Sequence, residues 1–401
     1  MDRESSELIN WFKKAAGTEK CTVELKGTKE KGDGYVADII FAKVTLDEPN
    51  HNGKQLHLAA KASKPSHSGK FLSDICQREV DFFKDIVPIF QQFQQEKNIK
   101  KPFRALPKCY TAFHTENAEV VIQENMTTKG YVLHNKKIPM NINHIKLVLS
   151  NYAKFHALSL AIRDQKPEVF EKIEKTCNNI VLEKLSMIQG IYEKSVTKII
   201  NNLNEVGRRD LAKRYEKLVG RNVMETVRDL LLDIPDERVL THADCHNGNF
   251  MFEYKDGNEE SPSNMVLLDF QVSFVFSPII DLSLYLYSGA SKEEFSHFTE
   301  LMEFYHNELS SFLSQLGSDV SKLFPISTMW QHWKKYSFYG FTFATAYLEL
   351  LFIESDDVPE FKDEKNKLAD DFFDVNLKDR TKFLERLVVS IEHYLDFNKI
   401  H

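Results

Sequence analysis

Along this chain the hydrophobic period changes once, and that change restricts the fold more than any single motif does. Thr22 to Leu46 alternates apolar and polar residues around a Gly-containing turn, and Leu56 to Ala62 and Glu119 to Gln123 read as further strands. Between them Phe71 to Phe93 places Ile75, Val80, Phe83, Ile86 and Val87 at helical spacing, which predicts one helix inserted into a sheet. MDRESSELINWFKKAA, ahead of the first strand, reads as a short amphipathic helix and is too polar for a secretory segment. From about Ile142 onward the periodicity is helical, as in HIKLVLSNYAKFHALSLAI and FLERLVVSIEHYLDF, broken by a short apolar strand pair near residues 239 to 270. The expectation is an α+β chain with a small sheet-plus-helix lobe over residues 1–124. A larger, mostly helical lobe follows over 125–401, with a helical insert at about 164–237.

Composition sets limits on partners. With 401 residues and 42% hydrophobic side chains, each lobe can bury a core. Acidic residues outnumber basic ones 59 to 52, for a net charge of −7, so there is no cationic excess to neutralise a nucleic-acid backbone. The five cysteines are scattered, odd in number and never C-x-x-C, which suits a reducing, cytoplasmic setting. Phe338 to Ile353, the longest apolar run, is short of the roughly twenty residues a bilayer crossing needs and carries Glu349. No membrane partner and no obligate protein partner are expected.

Thr241 to Phe252 reads THADCHNGNFMF, and seventeen residues later VLLDFQ presents Asp269. Phosphoryl transfer needs a carboxylate beside the attacking hydroxyl and oxygen ligands for Mg²⁺ where the metal can bridge the phosphates of ATP. In H-x-D-x-x-x-x-N, Asp244 is the candidate base, Asn249 and Asp269 the candidate Mg²⁺ ligands, and His242 a structural residue. Upstream, Lys61 ends the run LHLAAK and Glu79 lies on the inserted helix, the order expected of a phosphate-positioning ion pair. Gly32, Asp33 and Gly34 form a turn that could cover phosphates with backbone N–H groups, or a plain hairpin turn, since the pattern is not G-x-G-x-x-G.

Asp281 follows Asp269 by twelve residues; it reads either as a helix N-cap or as an acceptor for backbone N–H groups of the catalytic loop. So short an interval leaves no room for the activation segment on which a peptide docks, which favours a small-molecule substrate. HADCH has two histidines at zinc-protease spacing, but Ala243 stands where the general-base Glu belongs and Asn247 and Gly248 break the required helix. Cys245 and His156 read as core residues. A kinase fold without catalysis would be expected to lack one of Lys61, Asp244, Asn249 or Asp269, and all four are present.

Taken with GDGY, LHLAAKASKP, FLSDICQREVDFFKDIVP, PKCYTAF, VVIQENM and NYAKFHALS, these motifs make the chain resemble, over nearly its whole length, the ecdysteroid kinase-like proteins related to choline kinases and aminoglycoside phosphotransferases. The resemblance implies a bilobal protein-kinase-like fold. It places ATP in the cleft, the adenine against Gln123, Glu124, Asn125 and Met126, and Mg²⁺ at Asn249 and Asp269. The implied acceptor is a steroid-hormone hydroxyl or an alcohol on a plant or dietary compound, the latter pointing to detoxification; choline or another amino alcohol is the alternative, with Glu354 to Asp357 as a possible cation site. Gln271, in place of the glycine of D-F-G, is usual in that group. His246 for a tryptophan, Ala243 for a glycine and Asn125 for an aspartate depart from its pattern.

Overall fold

The computed structural model describes residues 5–28, 37–47, 53–63, 70–220, 222–255, 257–354, 363–364, 367–368 and 377–399. The chain opens with helix α1 (Ser5–Ala16) and strands β1 (Cys21–Thr28), β2 (Ala37–Leu46) and β3 (Gln55–Ser63). The turn at Gly32, Asp33 and Gly34 lies outside the described residues. Helices α2 (Lys70–Asp81) and α3 (Val87–Glu96) are joined by a π-helical turn, Phe82–Ile86, before β4 (Cys109–His114) and β5 (Glu119–Glu124). All five strands form one antiparallel sheet in the order β1-β2-β3-β5-β4.

Strand alternation gives this sheet two different faces. Leu58, Ala60, Ala62, Val120 and Ile122 point to one side, where Trp11, Phe12 and Ala15 of α1 cover them. Ala59 and Lys61 therefore point to the other. The helix inserted between β3 and β5 runs from Lys70 to Glu96, longer than its periodicity suggests, and its π turn has a chemical cause. Pro88 has no N–H to give to the carbonyl four residues back and its ring crowds that carbonyl, so the ladder is displaced by one residue. Phe82, Phe83, Ile86, Phe90 and Phe93, on this second half, are buried in the core of the larger lobe.

After Glu124 a 3₁₀ turn (Met126–Lys129) leads to β6 (Tyr131–Leu133), α4 (Ile142–Gln165), α5 (Pro167–Thr176), α6 (Ile180–Glu205), α7 (Arg209–Val219) and α8 (Val223–Leu232). The strand pair expected near residues 239 to 270 is four short strands: β7 (Val239–Thr241), β8 (Phe250–Glu253), β9 (Asn264–Leu267) and β10 (Phe274–Phe276). They form two ladders, β6-β8-β9 and β7-β10. The remainder is helical: α9 (Ile279–Gly289), α10 (Lys292–Ser296), α11 (Phe298–Leu316), α12 (Val320–Leu323), α13 (Ile326–Tyr347) and α14 (Thr381–Phe397). No helix among the described residues is long and apolar enough to cross a membrane, and the run from Phe338 onward is the buried half of α13 with the 3₁₀ turn after it.

Helix α9 sits under the catalytic loop and is held against α13 by close backbone approach. A Cβ on Gly340 would lie 2.1 Å from Ser283 Oγ and 2.3 Å from the Leu284 nitrogen, so only glycine allows this crossing. Gly340→Ala should therefore destabilise the fold by about 1–3 kcal/mol or more. Gly190→Ala, on the open face of α6 with nothing within 4 Å, should instead stabilise it by about 0.5–1 kcal/mol. Denaturant midpoints of the two variants check the pair, and equal shifts would contradict it.

Candidate active site

Two short ladders bracket the polar loops. Pairing of Thr241 with Phe274 and of Phe250 with Leu267 pins both ends of the 242–249 loop to both ends of the 268–273 loop. The Leu268 N–H then donates to the Asn249 carbonyl at 2.9 Å, which sets Asn249 beside Asp269. Asn249 Nδ2 donates to the Asp244 carbonyl oxygen (2.9 Å) and to Asp244 Oδ2 (3.0 Å), so its amide orients the carboxylate and leaves its own Oδ1 as an oxygen ligand. Asp244 keeps 30% of its side chain exposed, while His242 is fully buried.

Burial pushes the His242 pKa down, and its contacts are those of a neutral ring. Nε2 lies 2.8 Å from the Leu268 carbonyl, to which it donates, and Nδ1 accepts the Asp244 N–H at 3.2 Å. His242 thus holds the backbone of both acidic motifs. Asp281 does the same from below. It is the third residue of α9 rather than its N-cap; Oδ2 accepts the His242 N–H (2.8 Å) and the His156 Nε2–H (2.9 Å), and Oδ1 accepts the Ala243 N–H (2.8 Å). Burial acts to raise the Asp281 pKa, but the hydrogen bond and charge of His156, with the backbone N–H of His242, outweigh burial and hold it below the usual carboxylate range. His156, buried on α4, also meets the Tyr305 hydroxyl through Nδ1 at 2.8 Å.

Ala243 has φ +63°, a left-handed conformation that costs an alanine roughly 1–2 kcal/mol. A glycine would meet no such penalty. Ala243→Gly, despite glycine's greater unfolded-state entropy, should gain about 0.5–1 kcal/mol in a denaturant titration; a loss would show that the strain is absent. Asp269 shares this conformation at φ +68°.

On the opposite wall, the cleft-facing side of β3 sends Lys61 to α2 and to Asp269 at once: Nζ lies 2.7 Å from Glu79 Oε2 and 2.8 Å from Asp269 Oδ1. Burial would lower the Lys61 pKa, but the two carboxylates overturn that and hold it above its usual value. Phe270 locks the same region from the other side. Its ring stacks on Phe82 (centroids 3.9 Å, 5° between planes) and meets His242 edge to face at 4.4 Å. The second half of the inserted helix is therefore wedged to the loop that carries Asp269.

Lys61, Glu79, Asp269, Asn249, Asp244, His242 and Asp281 thus form one connected network, which also includes Phe270 and, as a member the sequence reading left in the core, His156. A histidine four residues after Tyr152 on an apolar helix was its signal. Gln123 and Glu124 end β5, the Asn125 N–H donates to the His57 carbonyl (2.9 Å), and Met126 packs with Leu268 against Tyr131, Met251 and Val266. His246 stands beside Asp244, Nε2 3.7 Å from Oδ1, with Nδ1 accepting the Gly248 N–H. Of the acidic stretch from Glu354 to Asp357, Glu354 is engaged by Lys137 and the rest lies outside the described residues. No cluster of three or more His, Cys, Asp or Glu suited to a metal occurs among the described residues, and His242 and His246 each have a hydrogen-bond partner of their own.

Across residues 31–318 the chain matches the model of the ecdysteroid kinase-like family. It belongs to that family. No curated protein matches it. Solved structures similar to this ecdysteroid kinase-like chain include GDP complexes of aminoglycoside 2'-phosphotransferase IIIa. The wild-type form shows 10% identity over 98% of this chain and 100% of that one, TM-score 0.47. A point mutant shows 11% identity over 99% and 100%, also at TM-score 0.47. An apo macrolide 2'-phosphotransferase from Brachybacterium faecium shows 13% identity over 86% and 96%, TM-score 0.37. Family membership and the strand order together identify a protein-kinase-like α+β fold, and the family is one of small-molecule kinases.

Proposed function

We propose that this chain transfers the γ-phosphoryl group of ATP to a hydroxyl of a small, largely apolar metabolite, such as an ecdysteroid or a dietary or plant alcohol. The observation that carries the reading is the ion-paired Lys61, held by Glu79 and Asp269 in the same cleft as the Asp244–Asn249 pair. In this reading Lys61 binds phosphate oxygens, Glu79 keeps it extended from β3, and Asp244 orients the acceptor hydroxyl and takes its proton. Asp281 and His242 hold the Asp244 loop in shape. The nucleotide lobe ends near residue 124, with the adenine against 123–126.

The donor set fits Mg²⁺. Asn249 Oδ1 and the Asp269 carboxylate are hard oxygen ligands, and Mg²⁺ takes only one or two protein ligands when nucleotide phosphates and water complete its shell. Bound there, the ion would neutralise charge on the phosphates.

Support for an apolar acceptor comes from the insert. Tyr192 of α6 packs on Phe343 of α13 (centroids 4.8 Å), which stacks on Tyr339 (4.3 Å). Both phenols are buried, which pushes their pKa values up. The test incubates the protein with Mg-ATP and a panel of steroids, plant alcohols, amino alcohols, sugars and aminoglycosides, and uses mass spectrometry to find the compound that gains a phosphoryl group. Phosphorylation of an amino alcohol alone would replace the apolar acceptor, and no nucleotide binding by calorimetry would end the kinase reading.

A further inference from the structure

Position 271 carries a buried glutamine beside the two most important charges of the cleft. Its amide has two orientations related by exchange of oxygen and nitrogen. Only one gives both atoms partners: Oε1 then accepts from Lys61 Nζ at 3.2 Å and Nε2 donates to Asp269 Oδ1 at 3.2 Å. In the other, oxygen would face the carboxylate and nitrogen the ammonium, leaving Nε2 only a 3.9 Å approach to Cys76 Sγ.

The three acceptors Glu79 Oε2, Asp269 Oδ1 and Gln271 Oε1 match the three N–H bonds of the Lys61 ammonium. An incoming phosphate oxygen must displace one of them. Asp269 is the group a cation would draw away, and the Lys61 that remains is held by Glu79 and Gln271. On the other side, Lys61 and Gln271 both engage Oδ1 of Asp269 and leave Oδ2 for a metal ion.

We propose that Gln271 is a positioning residue for the metal–nucleotide site, its carbonyl retaining Lys61 and its N–H fixing which oxygen of Asp269 is offered to the cation. The assignment rests on the kinase reading above. A glycine at this position could supply neither contact.

The experiment titrates Mg²⁺ at fixed ATP and follows nucleotide binding by calorimetry for the wild type, Gln271→Met and Gln271→Glu, with thermal midpoints recorded in parallel. Met keeps the length of the side chain without its hydrogen bonds and should raise the Mg²⁺ concentration at half-saturation by about tenfold. Glu keeps an acceptor for Lys61 but has no N–H and sets an oxygen against Asp269 Oδ1, so it should raise that concentration as well. A packing role would lower the thermal midpoint and leave the Mg²⁺ dependence of both variants at the wild-type value, which would overturn the assignment while leaving the kinase reading intact. A wild type that binds no nucleotide would instead remove the reading on which both rest.

Discussion

Asp244→Asn should lower the rate of phosphoryl transfer by about 10²–10⁴-fold while leaving Mg-ATP affinity nearly unchanged. The substitution keeps the shape of the side chain and its contact with Asn249 Nδ2, so the loop stays where it is. It removes only the charge that would orient the acceptor and receive its proton, an interaction realised in the chemical step. Asp269→Ala is the contrast within the same experiment. It strips a ligand from the proposed metal site and frees Lys61 from one of its two carboxylates, so Mg-dependent nucleotide binding should disappear together with turnover. Single-turnover kinetics and calorimetry separate the two outcomes. Full activity in Asp244→Asn would show that another group takes the proton.

Asp281→Ala should cost roughly 3–5 kcal/mol of stability. Its carboxylate is fully buried and accepts two backbone N–H groups and the His156 ring; without it, all three donors are left in a dry interior. Against a typical domain stability of about 5–15 kcal/mol, such a loss should be plain in a denaturant curve. The same carboxylate fixes the sign of a pH effect. Because its pKa is lower in the folded protein than in the unfolded chain, its contribution is fully present above the unfolded value of about 3.9. That contribution disappears as pH falls through the folded value. Asp281→Asn should therefore show a shallower acid limb than the wild type below about pH 4. A variant within 1 kcal/mol of the wild type, with an unchanged acid limb, would mean that the loop is held by other contacts.

Much of the fold was legible because it depends on local period. Alternation marked β1 and β2, short apolar runs marked β3 and β5, helical spacing marked the inserted helix and the large lobe, and the apolar stretch at Phe338 was correctly a buried helix. What escaped was short or weakly patterned. In β4, Cys109 to Phe113 are all half-buried and His114 is exposed, so there is no clean alternation to read. Three-residue ladders such as β7 and β10 are too short to show a period and exist because flanking loops bring them together. The π turn follows from Pro88, but a proline inside an apolar periodic run does not announce which way the helix will yield.

By itself the sequence determined the residue types and their order: a lysine ending a strand, an acid on the next helix, an Asp–Asn loop, a second Asp after an apolar strand. Those are covalent facts and local periodicities, carried by every conformation of the chain. Tertiary structure alone decided that Asp281 grips the catalytic loop with His156 behind it, and that Gln271 stands between Lys61 and Asp269. These contacts join residues 125, 39 and more than 200 positions apart. Hydrogen bonds act over about 3 Å, so only the packed core, which brings distant segments that close, can choose those partners.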